Sequence, residues 1–140
     1  MKKETIKKEE YTLSPQQKRE LKKITTLSPN FKAQGKLGEF FDLYLVCEST
    51  AKKFLEFTGY KTYQVNSIQK IIEKYFPNSI DKKQIESIFK GGEGTRNSKS
   101  CRQLRNEYLH QLSIKGRTEI ENRIEELSDN MNKWIVLFEI

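Results

Sequence analysis

The side chains best suited to chemistry lie in one short stretch, Arg105-Asn106-Glu107-Tyr108-Leu109-His110. His110 is the single histidine among 140 residues. Histidine is the side chain whose ordinary pKa, about 6.5, lets it give and take protons near neutral pH. Arg105 adds a permanent cation, and Asn106 an amide that can hold either neighbour. An acid/base group with a fixed cation suits cleavage of an RNA phosphodiester by its own 2′-hydroxyl. A base takes the hydroxyl proton, an acid protonates the leaving 5′-oxygen, and a cation steadies the crowded phosphorane. One histidine cannot easily make both proton transfers, whereas a two-fold dimer brings two histidines and two arginines to one cleft.

These residues sit in an apolar-periodic segment, Cys101, Leu104, Tyr108 and Leu112, which predicts a helix capped by Ser98 or Ser100 and running to about Ser113. At about 100° per residue, Arg105 falls within or beside the apolar stripe. His110 points to the opposite side, and Asn106 shares its face. A guanidinium on an apolar side needs an anionic or hydrogen-bonding partner. Arg105 and His110 cannot both reach one pocket from a single straight helix. Either the helix begins or distorts within the stretch, or a second chain completes the site.

Other chemistries find little support. There is no His-x-x-x-His, no cysteine cluster and no carboxylate spacing of a metal site, so no metal or cofactor is implied. No serine or cysteine joins His110 in a nucleophile motif. Cys47 and Cys101 stand at helix-core spacings and read as free buried thiols of a cytoplasmic protein. Gly91-Gly92-Glu93-Gly94-Thr95-Arg96-Asn97-Ser98 has the glycines of a phosphate loop but no Gly-Lys-Ser/Thr ending and no preceding strand. It reads as a mobile connector whose flanking cations, Lys90, Arg96, Lys99 and Arg102, are candidates for RNA phosphate contacts.

The chain carries 26 Lys and Arg against 19 Asp and Glu, a net charge of +7. From Thr118 onward there are two basic and six acidic residues, net −4, which leaves +11 for the rest. A basic body with an acidic last helix points to a polyanion partner, the plain alternative being lysine-rich faces that only solvate the chain. The apolar runs are short and broken by charge, so no membrane span is expected. The charged start, Met1-Lys2-Lys3-Glu4, has no apolar stretch behind it, and a cytoplasmic location is the expectation.

The elements that must position the site read as helices throughout. Residues 1–13 mix lysine and glutamate and should fray, leaving residues 14–140 as a single domain. Ser14-Pro15 opens a short helix to about Leu27, and Ser28-Pro29 starts a longer one. Along the latter, Leu37, Phe40, Phe41, Tyr44, Leu45, Ala51 and Leu55 recur at helical steps up to a stop at Gly59. Thr62 to Phe76 forms a third helix, ended by Pro77, and Asp81 caps a brief one through Ile85, Ile88 and Phe89. Gly116 should break the helix that carries Arg105. Thr118-Glu119-Ile120-Glu121 then reads as a capping box for a last helix with Ile120, Ile124, Leu127, Met131, Trp134, Ile135 and Phe138 on one stripe. The expectation is an all-α antiparallel bundle of four to five helices.

Arg105-Asn106-x-x-x-His110, late in a small helical bundle, resembles the R-x(4–6)-H signature of HEPN-domain proteins, including the polar residue that often follows the arginine. The likeness covers most of the chain in helix count and motif position. It implies a metal-independent endoribonuclease of toxin–antitoxin or phage-defence type, acting as a homodimer with the motif at the dimer cleft and leaving 2′,3′-cyclic phosphate ends. Arg105 would then orient or stabilise the scissile phosphate, His110 would be the acid/base, Asn106 would hold one of them, and an antitoxin or other regulatory protein becomes a possible partner. Some members of the toxin branch carry a modifiable tyrosine two residues after the histidine; here that position is Leu112.

Two further readings stand beside this one. A non-catalytic HEPN-like or unrelated helical module would bind nucleic acid or a partner protein through its basic face. The motif read as structure alone makes His110 an exposed helix residue and Arg105 an ion-pair partner for a helix such as the acidic last one. A helix-turn-helix at residues 62–90 would bind DNA, but Ile85 and Ile88 leave its short second helix little polar reading surface.

Overall fold

The computed structural model describes residues 12–26, 35–92, 99–112 and 114–139, with Gln111 described in its backbone alone. The described residues are all-helical, without strands. Their seven helices are α1 (Pro15–Thr26), α2 (Lys36–Phe57), α3 (Val65–Tyr75), α4 (Lys82–Phe89), α5 (Cys101–Gln111), α6 (Ile114–Asn122) and α7 (Ile124–Val136). The count exceeds the expected four to five.

The architecture follows from α2. Its 22 residues give about 33 Å of helix, and it packs against α1, α3, α5, α6 and α7. A helix enclosed in this way must be apolar over much of its circumference. Accordingly Phe40, Leu43, Tyr44, Val46, Cys47, Ala51, Phe54 and Leu55 are all buried. Leu45, expected on the core stripe, stands out at 37 % exposure, because it lies nearly opposite the buried Cys47 around the helix. Gly59 ends the helix with φ of 84°, the left-handed conformation that glycine adopts without a Cβ penalty, and Tyr60 N donates back to Leu55 O at 3.0 Å.

The other end of the core is aromatic. Trp134 of α7 meets Phe89 edge-on at 4.7 Å, and Phe138 lies 5.1 Å from Trp134 and 5.5 Å from Phe54. The indole N–H does not go unpaired in this dry setting: Trp134 Nε1 donates to Thr50 Oγ1 at 2.7 Å. The stripe expected from Ile120 to Phe138 is buried at every position, and Cys47 and Cys101 are free buried thiols.

Several local expectations are met by capping chemistry. Ser14 caps α1 by accepting from Gln17 N at 3.1 Å. Asp81 and Gln84 form a reciprocal capping box on α4, and Ser100 and Gln103 form one on α5. Ser98 and the Ser28-Pro29 start lie outside the described residues. The third helix begins at Val65 rather than Thr62.

The C-terminal region departs most. Gly116 does not break a helix; it is buried inside α6. The break falls earlier, at Leu112, whose φ of 46° and ψ of 38° are left-handed and take it off the apolar stripe to 69 % exposure. Thr118 is interior to α6 and forms no cap. The chain turns instead at Arg123, whose guanidinium donates to Glu126 Oε1 at 3.1 Å, Glu119 Oε2 at 3.3 Å and Lys99 O at 2.9 Å. Burial works against that charge, but the two carboxylates outweigh it and hold the arginine above its ordinary pKa. Arg123 thereby pins the start of α5 to the α6–α7 corner.

Candidate functional site

The motif occupies the exposed flank of α5, an unbroken helix from Cys101 to Gln111. Cys101 and Leu104 anchor its inner face in the core. Tyr108 continues that face, its ring 5.7 Å from Phe41 of α2. Arg105 therefore lies beside the stripe and against α2, as helical geometry requires.

Its guanidinium finds three neighbours. Nη1 donates to Asn106 Oδ1 at 2.9 Å, and the same nitrogen lies 3.9 Å from Glu48 Oε2. The guanidinium carbon sits 5.7 Å from the centre of the Tyr44 ring. The carboxylate that balances Arg105 thus belongs to α2, not to the acidic last helix. Glu48 is shared, because Lys52 Nζ approaches the same Oε2 at 3.8 Å. Its side chain is only 14 % exposed, so its field is poorly screened from the arginine.

His110 faces solvent, and its side chain makes no hydrogen bond or ion pair among the described residues. Five residues separate it from Arg105, about 140° around a straight helix. One chain therefore joins Arg105 to Asn106 but leaves His110 well around the helix from Arg105, on the side that Asn106 shares. Exposed apolar side chains flank His110 in sequence: Leu109 is 52 % exposed, and Leu112 and Ile114 more so.

The four candidate phosphate ligands part company. Lys99 pairs with Glu107. Arg102 donates to Tyr63 O at 3.0 Å and stacks 4.3 Å over the Tyr63 ring. Lys90 and Arg102 line one open groove of about 600 Å³. Arg96 lies outside the described residues.

Sequence reasoning missed Glu48, Tyr44 and Tyr63. Tyr44 was assigned to the core, and it is fully buried, yet its hydroxyl sits 3.0 Å from that of Tyr63. Burial pushes both phenols well above their ordinary pKa, so the pair stays neutral and protonated. The spacing of Tyr44, Glu48 and Lys52, one turn apart, was the available signal for a polar flank on α2. Tyr63 lies in a connector with no periodicity to mark it.

Among the described residues no group of His, Cys, Asp and Glu is arranged to hold a metal ion, and no helix is long and apolar enough to cross a membrane. Comparison of the chain with protein-family models, curated proteins and solved structures found no match.

Proposed function

We propose that this protein is a metal-independent endoribonuclease of HEPN type, a toxin or defence effector that cleaves RNA at a homodimer cleft. The observation that carries the reading is the pairing, on one uninterrupted helix, of a half-buried and hydrogen-bonded Arg105 with a free, exposed His110. A purely structural arginine needs no unengaged histidine a turn and a half away. The fixed angle between the two also supports a site completed by a second copy, and the apolar surface at Leu109 and Leu112 supplies a face for it.

In the reaction, His110 of one copy takes the proton of the 2′-hydroxyl, whose oxygen then bonds to phosphorus. The phosphorus–5′-oxygen bond breaks, and the leaving oxygen takes a proton from His110 of the other copy. Arg105 stabilises the negative charge of the phosphorane, and Asn106 keeps the guanidinium oriented. The products are a 2′,3′-cyclic phosphate and a 5′-hydroxyl.

A second reading is favoured by one observation: Arg105 already has a carboxylate partner in Glu48. In this reading the protein is a non-catalytic helical module that binds nucleic acid or a partner protein through its basic face. RNA cleavage and RNA affinity measured on the same His110→Ala protein separate the two. The enzyme loses cleavage and keeps affinity; the binding module cleaves nothing before or after the change, and its affinity, set by Lys and Arg, stays as it was.

A further inference from the structure

We propose that the groove between residues 62–66 and Lys90-Gly91-Gly92 seats a backbone phosphate of single-stranded RNA beside the scissile bond, with Arg102 and Lys90 as its cationic ligands. This assignment takes RNA as the ligand from the preceding reading and adds the strand's path.

The groove is about 600 Å³, and Arg102 lies on its wall. The guanidinium is fixed before any ligand arrives. It donates one N–H to Tyr63 O, rests on the Tyr63 ring, and lies so near Gly91 that a Cβ there would stand 3.1 Å from its central carbon. A guanidinium has five N–H donors, and among the described residues Arg102 has neither a carboxylate partner nor a second acceptor. Lys90 likewise has no side-chain partner among the described residues.

Charge balance points the same way. Lys52 and Arg102 both sit over Tyr63, and Arg105 sits by Tyr44, whose hydroxyl meets that of Tyr63. Three cations thus gather about two neutral phenols with Glu48 as the carboxylate among them. A half-buried excess of positive charge is relieved by an anion. Arg102 and Arg105 are one turn apart, about 4.5 Å along α5, so both can serve one polyanionic strand.

The shape selects a single strand. Double-stranded RNA is read across an extended minor-groove surface of about 16 base pairs, whereas this groove is a local concavity. Its neutral walls, Thr62, Gln64 and Asn66, offer hydrogen bonds to unpaired bases or ribose. Beyond Tyr63 a second groove of about 550 Å³ continues with Lys52, Lys61 and Tyr60, the mixture of cations and aromatic rings that tracks single strands.

The test is fluorescence anisotropy in EDTA, with a labelled 12-nucleotide single-stranded RNA and its duplex, all in the His110→Ala background. Lys90→Glu and Arg102→Gln should each weaken single-strand binding about tenfold and lower the salt slope by roughly one or more. Lys133→Glu on α7 should change it less than twofold. Arg102 supports Tyr63, so Lys90→Glu, whose side chain makes no hydrogen bond or ion pair among the described residues, keeps the test independent of folding. Unchanged affinity in Lys90→Glu, an equal loss in Lys133→Glu, or tighter binding of the duplex overturns the groove assignment. Equal cleavage by wild type and His110→Ala would instead overturn the nuclease reading and leave the groove standing on its binding data.

Discussion

Arg105 and Asn106 are adjacent in sequence and joined through their side chains, Nη1 donating to Oδ1 at 2.9 Å. Adjacent residues on a helix point about 100° apart, so the bond requires the guanidinium to fold back along the helix surface rather than reach into solvent. The asparagine therefore fixes where the cation lies.

Asn106→Ala releases that hold. Cleavage under single-turnover conditions should fall about tenfold or more, while RNA affinity changes less than twofold, because the cation is retained but no longer aimed. Asn106→Asp keeps the acceptor but adds a negative charge beside the phosphate, so it should weaken affinity as well. Equal losses of rate and affinity in Asn106→Ala would count against a positioning role.

Glu48 sets the opposite signs. Its carboxylate lies 3.9 Å from Arg105 and 3.8 Å from Lys52, restraining both cations and repelling a phosphate. Glu48→Gln should tighten RNA binding a few-fold and still lower the cleavage rate, a split visible as KM and kcat falling together. A variant that binds and cleaves like the parent would show that the carboxylate only neutralises charge.

The apolar surface beside His110 is a candidate contact between copies. Leu109 is 52 % exposed, so Leu109→Asp costs little in the isolated fold. Sedimentation should show a dimer in the parent and a monomer in Leu109→Asp, with cleavage lost and melting temperature nearly unchanged. A dimer that survives the charge, or a fully active monomer, contradicts the shared cleft.

Stability at alkaline pH depends in part on the buried thiols, beside the Tyr44 and Tyr63 phenols. Burial raises Cys101 from its ordinary 9.0 to about 12, and burial likewise raises Cys47 well above that value. A raised folded-state pKa means that the unfolded chain loses protons first. The stabilisation is complete below about pH 9 and is lost as pH climbs toward 12. Urea midpoints should therefore fall steadily over that window. In Cys101→Ala the fall should be shallower.

The core was legible in the sequence because burial follows period: the stripe through Ile124, Leu127, Met131 and Trp134 could face only one way. Caps were legible where a side chain makes the bond itself, as at Asp81 and Ser100. The end of α5 was not, because nothing in the residue type of Leu112 announces a left-handed backbone, and Gly116 carries the stronger break signal while sitting inside a helix. At the site, the angle between Arg105 and His110 follows from helical geometry alone. Glu48 as the partner of Arg105 depends on which helix packs beside α5, a tertiary fact that local pattern does not encode.

The most direct test of the central claim is the chemistry of the cut ends. Purified wild-type and His110→Ala proteins are incubated with mixed RNA in EDTA, and the fragment termini are identified. Fragments should arise with the wild type alone, carrying 2′,3′-cyclic phosphate and 5′-hydroxyl ends. Equal fragmentation by both proteins, 3′-hydroxyl ends, or intact RNA bound by both would contradict it.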